Sequence, residues 1–136
     1  MHSIAECRTS TAVKYAKEKY ICFYQNDSDS SLFNDEIATF QPNGLITINQ
    51  NMKALININV VGYTADNTDL RLWMGLKNYD TLKVYAQSIV CNTYFATGVI
   101  SIILNLTAGT QLGLYLYDSF SFNTGLAGSY IQIIKL

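Results

Sequence analysis

The sequence predicts an all-β protein, a sandwich or barrel built as one domain over residues 1–136. Three observations carry that prediction. Apolar residues recur with a period of two through most of the chain, which puts alternate side chains on one face of an extended strand. Turn signals separate these runs at short, regular spacing, the pattern of sandwiches and barrels. Hydrophobic residues make up 49% of 136 residues, enough for one core and too few residues for a second.

The elements follow in chain order. Residues 1–12 read as a flexible lead-in or the end of a stalk. Only residues 5–19 admit a helix, with Glu6, Arg8, Lys14, Lys17, Glu18 and Lys19 interspersed; the run Thr11 to Ala16 reads equally well as a first strand. The polar stretch NDSDSS at 26–31 is a loop. Pro42-Asn43-Gly44 is a turn before the strand LITIN. In the next strand Ala54, Ile56, Ile58 and Val60 share one face, and Leu55, Asn57, Asn59 and Val61 the other. After a turn at Asp66-Asn67-Thr68-Asp69, Leu70, Leu72, Met74 and Leu76 alternate with Arg71, Trp73, Gly75 and Lys77. Asn78-Tyr79-Asp80 turns the chain into Leu82, Val84 and Ala86, which alternate with Lys83, Tyr85 and Gln87. Ile100, Ile102, Leu104 and Leu106 line one side of the following strand. Beyond Ala108-Gly109-Thr110, Leu112, Leu114 and Leu116 alternate with Gly113, Tyr115 and Tyr117. A turn at Asn123-Thr124-Gly125 leads to GSYIQIIKL, a last strand rich in β-branched residues.

Composition removes several chemistries. The net charge of −1 leaves no basic face for nucleic acid. The single histidine, His2, stands at the N-terminus, so neither a Ser-His-Asp triad nor a histidine zinc site is signalled. Cys7, Cys22 and Cys91 show no Cys-x-x-Cys spacing and read as thiols, with one Cys7–Cys22 bridge left open. No glycine-rich phosphate loop occurs. Asp27, Asp29, Asp35 and Glu36 resemble no calcium loop and read as a solvated segment. Asn26-Asp27-Ser28 and Asn105-Leu106-Thr107 match the glycosylation pattern, the second inside a strand. No run approaches the ~20 apolar residues of a spanning helix, and the N-terminus lacks the apolar core of a secretion signal. The reading is therefore no catalytic residue, no metal and no cofactor.

Charge is also unevenly distributed. Asp118 and Lys135 are the only charged residues among 84–136, whereas about a quarter of an ordinary soluble domain is charged. The outward positions of these late strands offer Val99, Ile103, Tyr115, Tyr117, Ile131 and Ile133. An apolar second face calls for a partner.

Two segments carry a resemblance. Phe40-Gln41-Pro42-Asn43-Gly44-Leu45-Ile46 is similar to the Phe-x-x-Pro-x-x-Gly-x-Tyr-like entry into the second sheet of the tumour necrosis factor and complement globular-head superfamily. It is one residue shorter, and Ile46 stands near the usual aromatic. Leu106-Thr107-Ala108-Gly109-Thr110-Gln111-Leu112 resembles that family's Leu-x-Ala-Gly-Asp-x-Leu turn, with Thr110 in place of the acid. The resemblance runs over residues 11–136 and extends to bacterial and phage heads. It implies a jelly-roll sandwich of about ten antiparallel strands forming a homotrimer. The trimer interface is then expected at Val99, Ile103, Tyr115, Tyr117, Tyr130, Ile131 and Ile133.

A ligand is expected elsewhere. Trp73, the only tryptophan, alternates with inward-facing neighbours; it either stacks on a sugar ring or packs between subunits. With Arg71, Asn78, Tyr79, Asp80 and Asp118 it forms the candidate ligand set. The function implied is a non-catalytic recognition head for cell-surface carbohydrate, a phage tail head at the surface of a virion. The alternatives are a structural trimerising head of a spore-surface or virion fibre, and a cytokine-like ligand. An enzyme would need paired carboxylates in a cleft, and the spacing supplies none. The location expected is extracellular or at a virion or spore surface, within a larger assembly, with neither nucleic acid nor membrane insertion.

Overall fold

In the computed structural model residues 3–9, 13–15, 19–20, 32–63, 69–93, 95–116, 122–124 and 129–136 are described. Every regular element among them is a strand: β1 (Ile4–Thr9), β2 (Val13–Tyr15), β3 (Lys19–Tyr20), β4 (Ala38–Phe40), β5 (Ile46–Ile48), β6 (Met52–Tyr63), β7 (Asp69–Asn78), β8 (Val84–Thr93), β9 (Phe95–Leu106), β10 (Gln111–Leu116), β11 (Phe122–Thr124) and β12 (Ser129–Lys135). The described residues of the segment that could have been helical, 5–9, 13–15 and 19, lie in β1, β2 and β3 instead. Residues 4–9, read as lead-in, are a strand hydrogen-bonded to β12. Ala5 and Cys7 face the core and are too small to mark a hydrophobic run, which hid the strand.

Two six-stranded antiparallel sheets result. The first, called the β6 sheet, has the order β1-β12-β6-β11-β2, with β9 on the other side of β6. The second, the β10 sheet, has the order β4-β5-β10-β7-β8, with β3 also on β10. Strands β6 and β9 pair from Met52 opposite Leu106 to Tyr63 opposite Phe95. The other edge of β6 is shared. It pairs with β12 from Ala54 to Asn59 and with β11 at Gly62 and Tyr63. Between those partners the buried Ser129 hydroxyl accepts from Val61 N (2.9 Å) and donates to Val61 O (3.4 Å). A side chain thus supplies the ladder bonds where one strand hands over to the next, as a buried backbone group requires.

The core lies between the sheets. Ala54, Ile56, Ile58 and Val60 of β6 meet Met74, Leu76, Leu112 and Leu114 of the other sheet, all fully buried or within 1% of it. Ile100 and Leu106 of β9 join them, with Ile102 and Leu104 partly buried against the cluster. The turns that close this sandwich are the two segments that carried the resemblance. In the first, Gly44 adopts φ 89°, Gln41 N donates to Leu45 O (2.9 Å), and Leu45 N donates to Asn43 Oδ1 (3.0 Å). In the second, Gly109 adopts φ 91° and its N–H donates to Ile48 O (2.8 Å), while Ile48 N donates to Thr110 O (2.8 Å). Both glycines sit where a side chain would be strained.

The β7–β8 hairpin departs from simple alternation. Leu76 lies opposite Ala86 but Lys77 lies opposite Val84, so Tyr85 is the extra residue of a bulge. Tyr85 and Ala86 therefore both pack against the core. Leu82, taken as an inward strand residue, lies instead in the turn with φ 62° and is 64% exposed.

Candidate functional site

The outward face of the β6 sheet is organised in rows that cross four strands. In the central row Ser101 lies opposite Asn57, Asn57 opposite Gln132, and Gln132 opposite Glu6. Their side chains bond in one direction. Ser101 Oγ donates to Asn57 Oδ1 (2.8 Å), Asn57 Nδ2 to Gln132 Oε1 (3.4 Å), and Gln132 Nε2 to Glu6 Oε2 (3.3 Å). Glu6 Oε1 ends the row in an ion pair with Arg8 Nε. The direction has a cause. A carboxylate only accepts, so Gln132 must turn its NH₂ toward Glu6; its oxygen then faces Asn57, whose oxygen faces Ser101.

The rows on either side are different. Ile103 lies opposite Leu55, Leu55 opposite Ile134, and Ile134 opposite Ile4, an unbroken apolar row. On the other flank Val99, Asn59, Tyr130 and Arg8 align, with the Arg8 guanidinium 4.9 Å from the Tyr130 ring centre. Ile103 is 54% exposed and Val99 60%. Of the residues expected at an interface, Val99, Ile103 and Tyr130 share this face. Ile131 and Ile133 do not: both are fully buried, opposite Ile58 and Ile56. Parity along β12 gives the outward places to Tyr130, Gln132 and Ile134.

Tyr115 belongs to the opposite side of the molecule. On the outward face of the β10 sheet its ring meets Tyr20 edge-on at 5.2 Å, and Lys77 Nζ stands 4.4 Å from the Tyr115 centroid. Tyr20 in turn lies 5.9 Å from Tyr79. The cluster depends on Gly113, because a methyl group there would overlap the Tyr20 ring. Tyr115 therefore shares no face with Val99 and Ile103.

The ligand candidates are partly brought together. Asn78, Tyr79 and Asp80 form the β7–β8 turn beside this cluster. Asn78 is spent on the turn: its Oδ1 accepts from Asp80 N (2.9 Å) and Thr81 N (3.1 Å), and its Nδ2 donates to the Tyr85 hydroxyl (3.2 Å). Tyr79 is 46% exposed. Arg71 and Trp73 stand in β7 opposite Cys91 and Ile89, with side chains outside the described residues. Tyr117, Asp118, Asp27 and Asp29 also lie outside them. Asp35 and Glu36 occupy a turn where Glu36 N donates to Asn34 Oδ1 (3.2 Å). Tyr20 and Lys77 were missed as site residues. A glycine in the middle of the β10 run was the available sign, since such a glycine often admits another group close to the backbone.

No family model and no curated protein sequence matches the chain. Solved structures do. An Eiger TNF from S. frugiperda matches with a TM-score of 0.74 at 13% identity, over 98% of this chain and 91% of that one. Murine APRIL at pH 5.0 matches with 0.72 at 9% identity, over 100% of both chains. The chain has the tumour necrosis factor-like jelly-roll fold. The same jelly roll is found in the globular domain of zebrafish complement 1qA protein, with a TM-score of 0.67 at 10% identity over 98% of this chain and 97% of that one. At such identities the likeness establishes the jelly roll, and a functional reading must come from this chain's own faces.

Proposed function

We propose that this chain is a non-catalytic recognition head that assembles as a homotrimer through the outward face of the β6 sheet and binds cell-surface saccharide, at the surface of a virion or spore. The observation that carries the assembly is the exposure of Val99 and Ile103, 60% and 54%, beside Leu55 and Ile134 on one face, where Glu6 and Arg8 pair with each other. A sandwich face that stays in water is normally polar, and a contiguous apolar face marks an interface. Proteins of this fold close such faces around a threefold axis.

The saccharide reading rests on the other sheet. Tyr79, Tyr20 and Tyr115 present rings with polar tips next to Lys77, the combination that stacks on a sugar and bonds its hydroxyls. Three such clusters on one head convert weak sites into useful avidity. Two measurements on one purified sample test the proposal. Light scattering should give three times the 15.2 kDa of one chain; a well-behaved monomer overturns the assembly. A glycan array should show saturable retention that Tyr79→Ala removes; a blank array for the intact trimer overturns the saccharide reading.

A further inference from the structure

The trimer reading says that the β6 face is covered, not what stops the covering copies from sliding. Apolar rows are poor guides, because one isoleucine accepts another at several offsets. The polar row across the same face is a better one. Ser101, Asn57, Gln132 and Glu6 lie in one line over four strands, and Arg8 of the flanking row pairs with its last member. Their internal bonds leave Asn57 and Gln132 one N–H and one lone pair each, because an amide has two of both. Its negative end, Glu6, is joined to the positive Arg8. The two amides each offer one donor and one acceptor to a neighbouring copy, and the charges cancel. A slip along the strand would set these amides against apolar groups of that copy and leave buried polar groups unsatisfied, at a cost of ~1–3 kcal/mol each.

We propose that the Ser101–Asn57–Gln132–Glu6 row, held at its end by Arg8, fixes the register, and with it the copy number, of self-association. The partner is a second copy of this chain, and the proposal rests on the homotrimer reading. A buried polar position that specifies register at a cost in stability is the best-attested use of such groups. Glu6 is the positioning residue: its carboxylate sets the direction in which every amide of the row presents its remaining groups.

Native mass spectrometry of the full chain tests this. The wild type should give one trimeric species. Asn57→Leu with Gln132→Leu replaces both central amides of the row with apolar groups and should still associate, but as several stoichiometries, with the single mass lost. If that variant gives the same sole trimer as the wild type, the register proposal is overturned while the trimer stands. If the wild type itself is monomeric, the trimer reading fails and the register proposal falls with it. Far-UV circular dichroism checks the strands. Should the leucine pair not fold, Ser101→Val with Gln132→Val reads the same two outcomes from residues that favour strands.

Discussion

Thr39, Thr47 and Gln111 form a row on the outward face of the β10 sheet, where Ile103, Leu55 and Ile134 form one on the β6 sheet. Both rows come from the same alternation, and both strands of residues have their other side in one shared core. On the β10 face polar groups bond locally, as Gln41 Nε2 does to Thr47 Oγ1 (2.6 Å), and the rest is left to water. On the β6 face they bond to one another across four strands and are hemmed by exposed isoleucine and valine. The period of a strand therefore says which residues leave the core; only the character of the outward set says whether they meet water or protein.

Substitutions can break that contrast. The largest effect is expected from Ile103→Glu, which puts a carboxylate into the proposed interface. An uncompensated buried charge costs roughly 3–5 kcal/mol, so light scattering should fall to the 15.2 kDa monomer with the strand spectrum retained. The same change on the other face, Thr47→Glu, should leave the mass of the assembly unaltered; a loss there would mean that the two faces do not differ as described.

Next is Ser129→Ala, at the point where β6 changes partner. Removing the hydroxyl leaves Val61 N–H in need of an acceptor, at a cost of ~1–3 kcal/mol. Urea unfolding should show the loss, and hydrogen exchange should show Val61 opening faster than Ile56. A smaller change is expected from Gly113→Ala, which unseats Tyr20 from the β10 face. An aromatic contact is worth ~0.5–1.5 kcal/mol, so glycan retention should weaken several-fold while the trimer mass persists. The smallest is Leu82→Asn in the turn. Its left-handed backbone at φ 62° suits asparagine better than leucine, and at 64% exposure leucine contributes little burial. A gain of less than about 1 kcal/mol is expected in thermal unfolding, with mass and retention unchanged.

Much of the fold was legible before the structure. The β6, β7, β9 and β10 runs alternate cleanly, and the turns at Gly44 and Gly109 carry their own chemistry. Of the early strands only β2 was legible, as one of two readings of Thr11 to Ala16; β3 is two residues long and β1 faces the core with alanine and cysteine. The site was legible only in part. Val99 and Ile103 follow from parity. Ile131 and Ile133 were misplaced because β12 also has Ile134, so isoleucine occupies both parities and only pairing with β6 decides between them. Tyr115 was correctly turned away from the core, but parity does not name the sheet. The polar row could not be seen at all, since its members stand at positions 6, 57, 101 and 132 and meet only through register.

The place of β12 has a consequence in time. It lies between β1 and β6, with Ile4 opposite Ile134, so two strands at opposite ends of the fold pair with each other. While a ribosome is still making residues 129–135, β1 has, among the described residues, only its bridge to Leu32, and one edge of β6 lacks a partner along Ala54 to Asn59. Pairings so distant in sequence form slowly, and unpaired edges are where nascent chains stick to one another. The head is thus expected to fold only once β12 has left the ribosome, and to be most vulnerable to aggregation in the interval before that.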